Sequence, residues 1–314
     1  MSLLVTGTIG IDTVETPAGR AERVLGGSCA YFAAAASLHT PVRVVGAVGG
    51  DWPPAHREQL KRFKNVDLAG LEVRPDSKTF AWGGRYFDNM NERETLFTQL
   101  GVVGEAPPPI PPQFKDSQYI FLANTHPGVQ LQFLSNFPQR KLAVADTMDL
   151  WINTARADLE KLLTQVNGIV LNFSEAEQLT GVRNAITACR KIVTMMGRNT
   201  AGPKFAVNKK GEHGAIMVHG EGIGGGVATM PAFPAELHQV IDPTGAGDSF
   251  AGGFMGHIAA QDKTDFETMQ SALAWGTVTA SFTIESFGLD RLAQISRREI
   301  NDRMRQFQAH ARVG

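Results

Sequence analysis

Between Ile241 and Phe254 the chain reads IDPTGAGDSFAGGF, and this run holds the residue types best suited to chemistry. Gly245, Ala246 and Gly247 stand where an apolar helical pattern begins. At a helix start the first backbone N–H groups have no intrahelical partner and the dipole is positive. Such an end binds anions, phosphate above all. Asp248 follows at once. A carboxylate in that place can take a proton from a hydroxyl while the N–H groups stabilise a phosphoryl group in transit. Aspartate in a first helical turn also serves as an ordinary cap, so a bare G-x-G-D would say little. Asp242, Pro243 and Thr244 before it, and Ser249 to Gly253 after it, make the run far more specific. Gly252 and Gly253 each lower helix propensity by roughly 1 kcal/mol, which a close approach by another helix or a ligand would explain.

Other constellations lie along the chain. Gly7 to Asp12 (GTIGID) follows an apolar strand, without the glycine spacing of a dinucleotide fingerprint. Gly26 and Gly27 precede a helical SCAYFAAAAS. In NFSEAEQL, Asn172 and Glu175 place a carboxylate in a first helical turn, where a capping box through Ser174 is one use for it. In NKKGEHG, Lys209, Gly211 and Gly214 make a strand-turn. Its lysine either reaches a phosphate as a point charge or is one of the solvated lysines of a hairpin. The glycines from Gly220 to Gly226 read as a hairpin and lack the Lys-Ser/Thr ending of a P-loop. Trp82, Arg85, Tyr86 and Asn89 are candidate contacts from an inserted sheet. Trp275, Phe282 and Phe287 either line a ligand pocket or belong to the core.

The string D-x-T-G-A-G-D-x-F resembles the second signature of the ribokinase-like (PfkB-type) carbohydrate and nucleoside kinase family. The resemblance implies an ATP- and Mg²⁺-dependent phosphotransferase acting on a primary hydroxyl of a sugar or nucleoside. It makes Asp248 the catalytic base and the amides of Gly245, Ala246 and Gly247 the anion hole. Asp12 then binds sugar hydroxyls, since one carboxylate accepts from two adjacent hydroxyls at once. Gly26 and Gly27 let the acceptor approach the backbone. Asn172 and Glu175 match the family's N-x-x-E motif, with Glu175 acting on Mg²⁺ through water. Lys209, Gly211 and Gly214 match its ATP-binding turn T-x-G-x-x-G, with lysine in the threonine's place. Asp242 and Thr244 resemble its monovalent-cation site, which implies potassium. The helix after Gly27 departs from the ribokinase branch, which carries Asn and Lys there, and is closer to nucleoside-kinase branches. Two alternatives stand beside a sugar kinase: an adenosine-like nucleoside kinase, and a catalytically silent sensor on the same fold. A nicotinamide-dependent oxidoreductase should show a G-x-G-x-x-G after the first strand, which is absent.

Strands and helices must position these residues, and their pattern is readable. Leu3–Thr6, Val42–Val48, Gln118–Ala123, Leu142–Ala145, Gly168–Leu171, Lys204–Val207 and Ala215–Val218 are apolar runs typical of buried strands. Helices are expected at 28–37, 52–63, 128–136, 153–164, 174–179, 246–260, 266–285 and 296–309. This alternation predicts an α/β fold, ribokinase-like, with a mainly parallel central sheet and helices on both faces. A small antiparallel β lid, built from about 13–25 and 67–100, is inserted in a single domain spanning 1–314. The Pro-rich stretch Pro107–Pro112 leads back from it.

Composition narrows the partners. Lys and Arg number 30 against 31 Asp and Glu, which argues against a nucleic-acid partner. Two cysteines, Cys29 and Cys189, suggest a reducing, cytoplasmic setting, with Cys29 either a small core residue or a reactive thiol. The N-terminal MSLLVTGTIGID reads as a strand and turn, not a signal peptide, and no apolar run reaches membrane-spanning length. The apolar lid strands allow a homodimer.

Overall fold

The computed structural model describes residues 2–197, 201–220 and 226–311. The glycine-rich hairpin expected at 220–226 falls mostly outside them. A nine-stranded sheet forms the body. Its parallel part consists of β1 (Leu3–Thr6), β4 (Val42–Gly49), β5 (Val66–Arg74), β8 (Tyr119–Leu122), β9 (Leu142–Asp146), β10 (Gly168–Asn172) and β11 (Phe205–Lys209). The strands β12 (Ala215–His219) and β13 (Gly226–Met230) add antiparallel at one edge. The spatial order is β13-β12-β11-β10-β9-β8-β1-β4-β5.

The strands read as unbroken apolar runs because both faces are covered. In β8, Tyr119 and Phe121 enter one core while Ile120 and Leu122 enter the other. The first core packs α1 (Ser28–Ala36), α8 (Ala246–Gln261), α9 (Phe266–Thr283) and α10 (Arg297–His310) on the sheet. The second packs α3 (Pro127–Leu134), α5 (Arg156–Leu163), α6 (Phe173–Thr180) and α7 (Ala185–Met195). The remaining helices are α2 (Pro54–Lys61) and α4 (Asp149–Thr154).

A second, four-stranded sheet has the order β3-β2-β6-β7, with β2 (Gly10–Thr16), β3 (Gly19–Gly26), β6 (Phe80–Tyr86) and β7 (Arg93–Gln99). Its outer pairs are antiparallel, and its central pair, β2 with β6, is parallel. The stretch expected in this lid from residue 67 onward divides in two. Val66–Arg74 is β5, which runs parallel to β4 at the edge of the large sheet. It was open to misreading because an edge strand alternates in polarity like a lid strand. The helix expected at 153–164 also breaks, at Ala155 (φ −133°, ψ 33°), into α4 and α5. Helix α7 was not anticipated, although Asn184 caps it and its apolar residues keep helical spacing.

Helix α8 explains its own glycines. A Cβ on Gly252 would lie 2.5 Å from the Phe32 carbonyl oxygen of α1, and one on Gly253 would lie 2.6 Å from Thr279 Oγ1 of α9. The two glycines set α8 tightly between α1 and α9, and that packing fixes the helix start at the site. Gly253→Ala, despite its better helix propensity, should therefore lower stability by about 1–3 kcal/mol. Chemical denaturation reads this directly, and an unchanged or higher stability would show that the helices part without cost.

Candidate active site

The parallel strands end on one rim of the sheet, where open α/β folds bind their ligands. Asp146 closes β9, Asn172 closes β10, and Lys209 closes β11 in register with Asn172. The start of α8 faces this rim. Gly245 is its N-cap, in the left-handed region (φ 75°, ψ −1°), with the Tyr31 ring packed flat against it. The ring excludes a side chain there, and the left-handed backbone disfavours one. Among the described residues the N–H groups of Gly245 and Gly247 have no partner, so they remain open to an anion. The Ala246 N–H, expected in the same hole, instead donates to the Pro243 carbonyl oxygen at 3.2 Å. Of the three amides expected in the hole, those of Gly245 and Gly247 are thus the open ones.

Asp248 sits in the first turn of α8. Burial, chiefly, and the nearby Asp146 push its carboxyl up to about 7, against the pull of Lys209 and Arg93. Lys209 Nζ lies 2.9 Å from where a Gly247 Cβ would be, so the lysine points at the helix start. Burial works against its charge, but Asp146, Glu175 and Asp248 outweigh that and hold its pKa above normal. Lys209 is thus a charged partner of the site and not a solvated hairpin lysine.

Asn172 and Glu175 close a reciprocal capping box at the start of α6. The Asn172 N–H donates to Glu175 Oε2 at 2.7 Å, and the Glu175 N–H donates to Asn172 Oδ1 at 2.8 Å. The cap is Asn172, not Ser174. The capping role does not consume the carboxylate, whose other oxygen stays available. Burial and Asp146 push Glu175 up to about 8, with Lys209 opposing. Three carboxylates, from Asp146, Glu175 and Asp248, thus face one buried lysine and the lid arginine Arg93. That surplus of negative charge fits Mg²⁺, with Asp146 and Glu175 as the groups to hold it, directly or through water.

On the acceptor side, Asp12 lies at a bulge of β2 and packs over Gly26, where a Cβ would clash with its carboxylate. Gly27 (φ 91°) comes so near Thr8 that a Cβ would lie 2.5 Å from its carbonyl oxygen. Ser28 then ties the turn to the end of β1, its N–H donating to Thr8 Oγ1 at 3.1 Å. Burial pushes Asp12 up to about 7 despite the Gly27 N–H, and Asp242 and Asp248 add to the rise. Asp242 is wholly buried and accepts from the N–H of Thr244 at 2.8 Å and of Gly288 at 3.4 Å.

The lid rests on the body. Thr244 Oγ1 donates to Tyr86 OH at 3.4 Å, Thr16 Oγ1 to the Ile241 carbonyl at 2.8 Å, and Asn91 Nδ2 to Glu212 Oε1 at 2.9 Å. The last contact places the lid turn on the Gly211–Gly214 loop. Gly211 (φ 56°) and Gly214 (φ 81°) shape that loop, and a Cβ on Gly214 would strike the Met230 carbonyl oxygen. Of the lid residues singled out above, Tyr86 and Trp82 join the site. Arg85 instead pairs with Glu15 and Glu94 on the outer surface, and Asn89 caps its own turn. Phe282 belongs to the core, while Trp275 stacks on His257. Cys29 is fully buried, and burial and Asp248 push its thiol far up, so it is not a nucleophile.

Three residues of the site escaped the sequence reading. Asp146 ends an otherwise apolar strand at its carboxyl end, a signal available in LAVAD. Arg93 lies over Trp82 (5.5 Å) and donates to Tyr86 OH at 3.3 Å, and its charge is felt at Asp248 and Lys209. Only the folded lid reveals its direction. Tyr31 lay in plain view in the departing helix.

Residues 136–295 match the pfkB family carbohydrate kinase profile. The chain belongs to that family. A cytidine kinase of Thermococcus kodakarensis is 28% identical over 262 residues, covering 81% of this chain and 87% of that protein. The fold matches a Burkholderia thailandensis nucleoside kinase in complex with inosine, with TM-score 0.75 and 20% identity over 99% of this chain and 100% of that one. It matches equally an E. coli putative ribokinase II in complex with ATP and Mg²⁺, with TM-score 0.75 and 16% identity over 97% of this chain and 99% of that one. As a pfkB-family member the chain is an ATP-dependent carbohydrate or nucleoside kinase. Among the described residues no helix is long and apolar enough to cross a membrane.

The buried carboxyls make a thermodynamic prediction. Asp12, with a folded pKa of about 7 against about 4 unfolded, binds its proton more tightly in the folded protein. Its contribution to stability is complete below the unfolded pKa and is lost as pH rises through about 7. Ligand-free Asp12→Asn should therefore gain on the wild type between pH 5 and 8, by on the order of 1 kcal/mol or more. Parallel wild-type and variant melting curves across that range would refute the buried, proton-retaining carboxyl.

Proposed function

We propose that this kinase transfers the γ-phosphoryl group of ATP to a primary hydroxyl of a nucleoside. The observation that carries the reading is Asp248, with a pKa near neutrality, set beside the open Gly245 and Gly247 amides and the Lys209 ammonium. In the proposed mechanism the acceptor lies between Asp12 and Asp248, with its chain-end hydroxyl toward Asp248. Asp248 takes the hydroxyl proton as the oxygen attacks. The two amides and Lys209 hold the phosphoryl oxygens, and Arg93 brings a further positive charge when the lid is down. Mg²⁺ between Asp146 and Glu175 would neutralise the phosphates. Lid closure excludes water, the competing acceptor. The choice of nucleoside over simple sugar is supported by the cytidine kinase relative and by the inosine-bound structural neighbour.

The Asp242–Thr244 loop next to the anion hole is proposed to hold potassium. A buried carboxylate there stays short of positive charge, since burial raises its pKa against the Thr244 and Gly288 N–H groups. A bound monovalent ion would supply that charge and brace the loop.

Asp248→Asn should lower kcat by about 10²–10⁴-fold while ATP and acceptor binding persist. Wild-type kcat/KM should fall below pH about 7 as the base protonates. A variant keeping more than about a tenth of the wild-type rate would remove Asp248 from that role.

The lid is also proposed to pair with that of a second copy. Strand β7 is an unpaired edge, and Phe87, Leu96, Phe97 and Leu100 on and around it are 38–45% exposed. An open strand edge with exposed apolar side chains on and beside it invites pairing. Sedimentation should show a dimer that Leu96→Lys converts to monomer, and a wild-type monomer at all accessible concentrations would end this reading.

A further inference from the structure

Tyr31 carries a hydroxyl that the packing does not explain. The side chain is 1% exposed, and its oxygen has no hydrogen-bond partner among the described residues. Its ring lies against Gly245, a task that phenylalanine would perform as well. Asp242, Asp12, Asp248 and the Tyr86 phenol are near enough to act on the hydroxyl electrostatically. Burial and those carboxyls push its pKa well up, so it stays a neutral O–H able to donate and to accept. A second orphan stands at the turn just before α1, where the Asp12 carboxylate packs over Gly26. Asp12 is 4% exposed, and its Oδ1 also lacks a partner. Two unpartnered buried polar atoms at one site are costly, and a ligand that completes both removes the cost. Asp12 belongs to the lid sheet and Tyr31 to the body, so a ligand touching both is gripped as the lid descends.

We propose that the Tyr31 hydroxyl binds a ring hydroxyl of the acceptor opposite Asp12, and so makes the enzyme select acceptors that carry that hydroxyl. The proposal rests on the nucleoside kinase reading above. It turns a position that departs from the ribokinase pattern into a determinant of specificity. A site that hydrogen-bonds a substrate hydroxyl rejects the analogue lacking it far more strongly than an apolar pocket does, because its own polar groups are left unpaired.

The test compares wild type and Tyr31→Phe on cytidine and inosine and on their 2′-deoxy and 3′-deoxy analogues. Wild type should discriminate against one deoxy position by about 10²-fold or more in kcat/KM. Tyr31→Phe should cost the full ribonucleoside about 10-fold or more, chiefly in KM, while changing that one deoxy analogue by less than about 2-fold. The ligand-free variant should melt no lower than wild type, since it loses only an unpaired hydroxyl. Equal losses on all acceptors, or none on any, would overturn the proposal. Titration calorimetry without ATP separates the two layers. Tyr31-dependent discrimination in binding without phosphorylation upholds the hydroxyl contact and defeats the kinase reading. Phosphorylation without Tyr31-dependence does the reverse, and no binding by any ligand of the panel defeats the contact.

Discussion

A surplus of buried negative charge governs this rim of the sheet. Asp146, Glu175 and Asp248 converge on one lysine, and burial holds each carboxyl above its ordinary pKa, with Asp146 adding to the rise at Glu175 and Asp248. Left alone, such a cluster gives up its charge by holding protons. Adding positive charge, as Mg²⁺ or as the lid arginine, restores the carboxylates. That charge surplus accounts for the burial of Lys209 among carboxylates, and it is the feature on which the proposed roles of Mg²⁺ and of Asp248 as a base rest. In the proposed mechanism the base is ready only once other charges are in place, which would tie deprotonation of the acceptor to nucleotide binding.

Placing such groups within reach demands a scaffold that brings backbones unusually close. Gly252 and Gly253 draw α8 against α1 and α9, and Gly245 admits the Tyr31 ring. Gly26 makes room for the Asp12 carboxylate, and Gly27 brings its turn onto Thr8. These glycines weaken the elements that contain them. Their common effect is that the acceptor side, the anion hole and the helix behind it form one packed unit, with α1 touching both ends.

Much of this was legible in the chain. The strands with both faces buried announce themselves as continuous apolar runs, and GAGDSFAGG marks the helix start by its small residues. Elements that face solvent on one side were harder to assign. Strand β5 has the alternating polarity of a lid strand, and only its pairing with β4 assigns it to the body. The role of Ala246 depended on a 3.2 Å turn contact with Pro243 that no pattern encodes. For Lys209 the sequence left a phosphate contact and a solvated hairpin lysine both open, and pairing in the sheet sets it apart from Lys210, because Lys209 ends β11 beside Asn172. Arg93 lay within a strand whose seven residues are all exposed, and its direction is set by Trp82 and Tyr86, which neighbour it only after the lid has formed.

Three of the lid's attachments to the body bear on how closure would be felt at the proposed reacting centre. Tyr86 reaches Thr244 in the loop ahead of Gly245, Thr16 reaches Ile241 in the same loop, and Asn91 reaches the Gly211–Gly214 loop at Glu212. Two of the three therefore bear on the 241–244 segment that leads into Gly245. On the proposed mechanism, a lifted lid would withdraw Arg93 from the carboxylate cluster and, in the same movement, release the loop that presents the open amides. Charge balance and backbone geometry would then fail together, so an open enzyme holding ATP would lack both the cation that restores Asp248 as a base and the braced donors proposed to receive the phosphoryl group. On that proposal the same coupling would protect ATP from water in the absence of acceptor, without a separate gate.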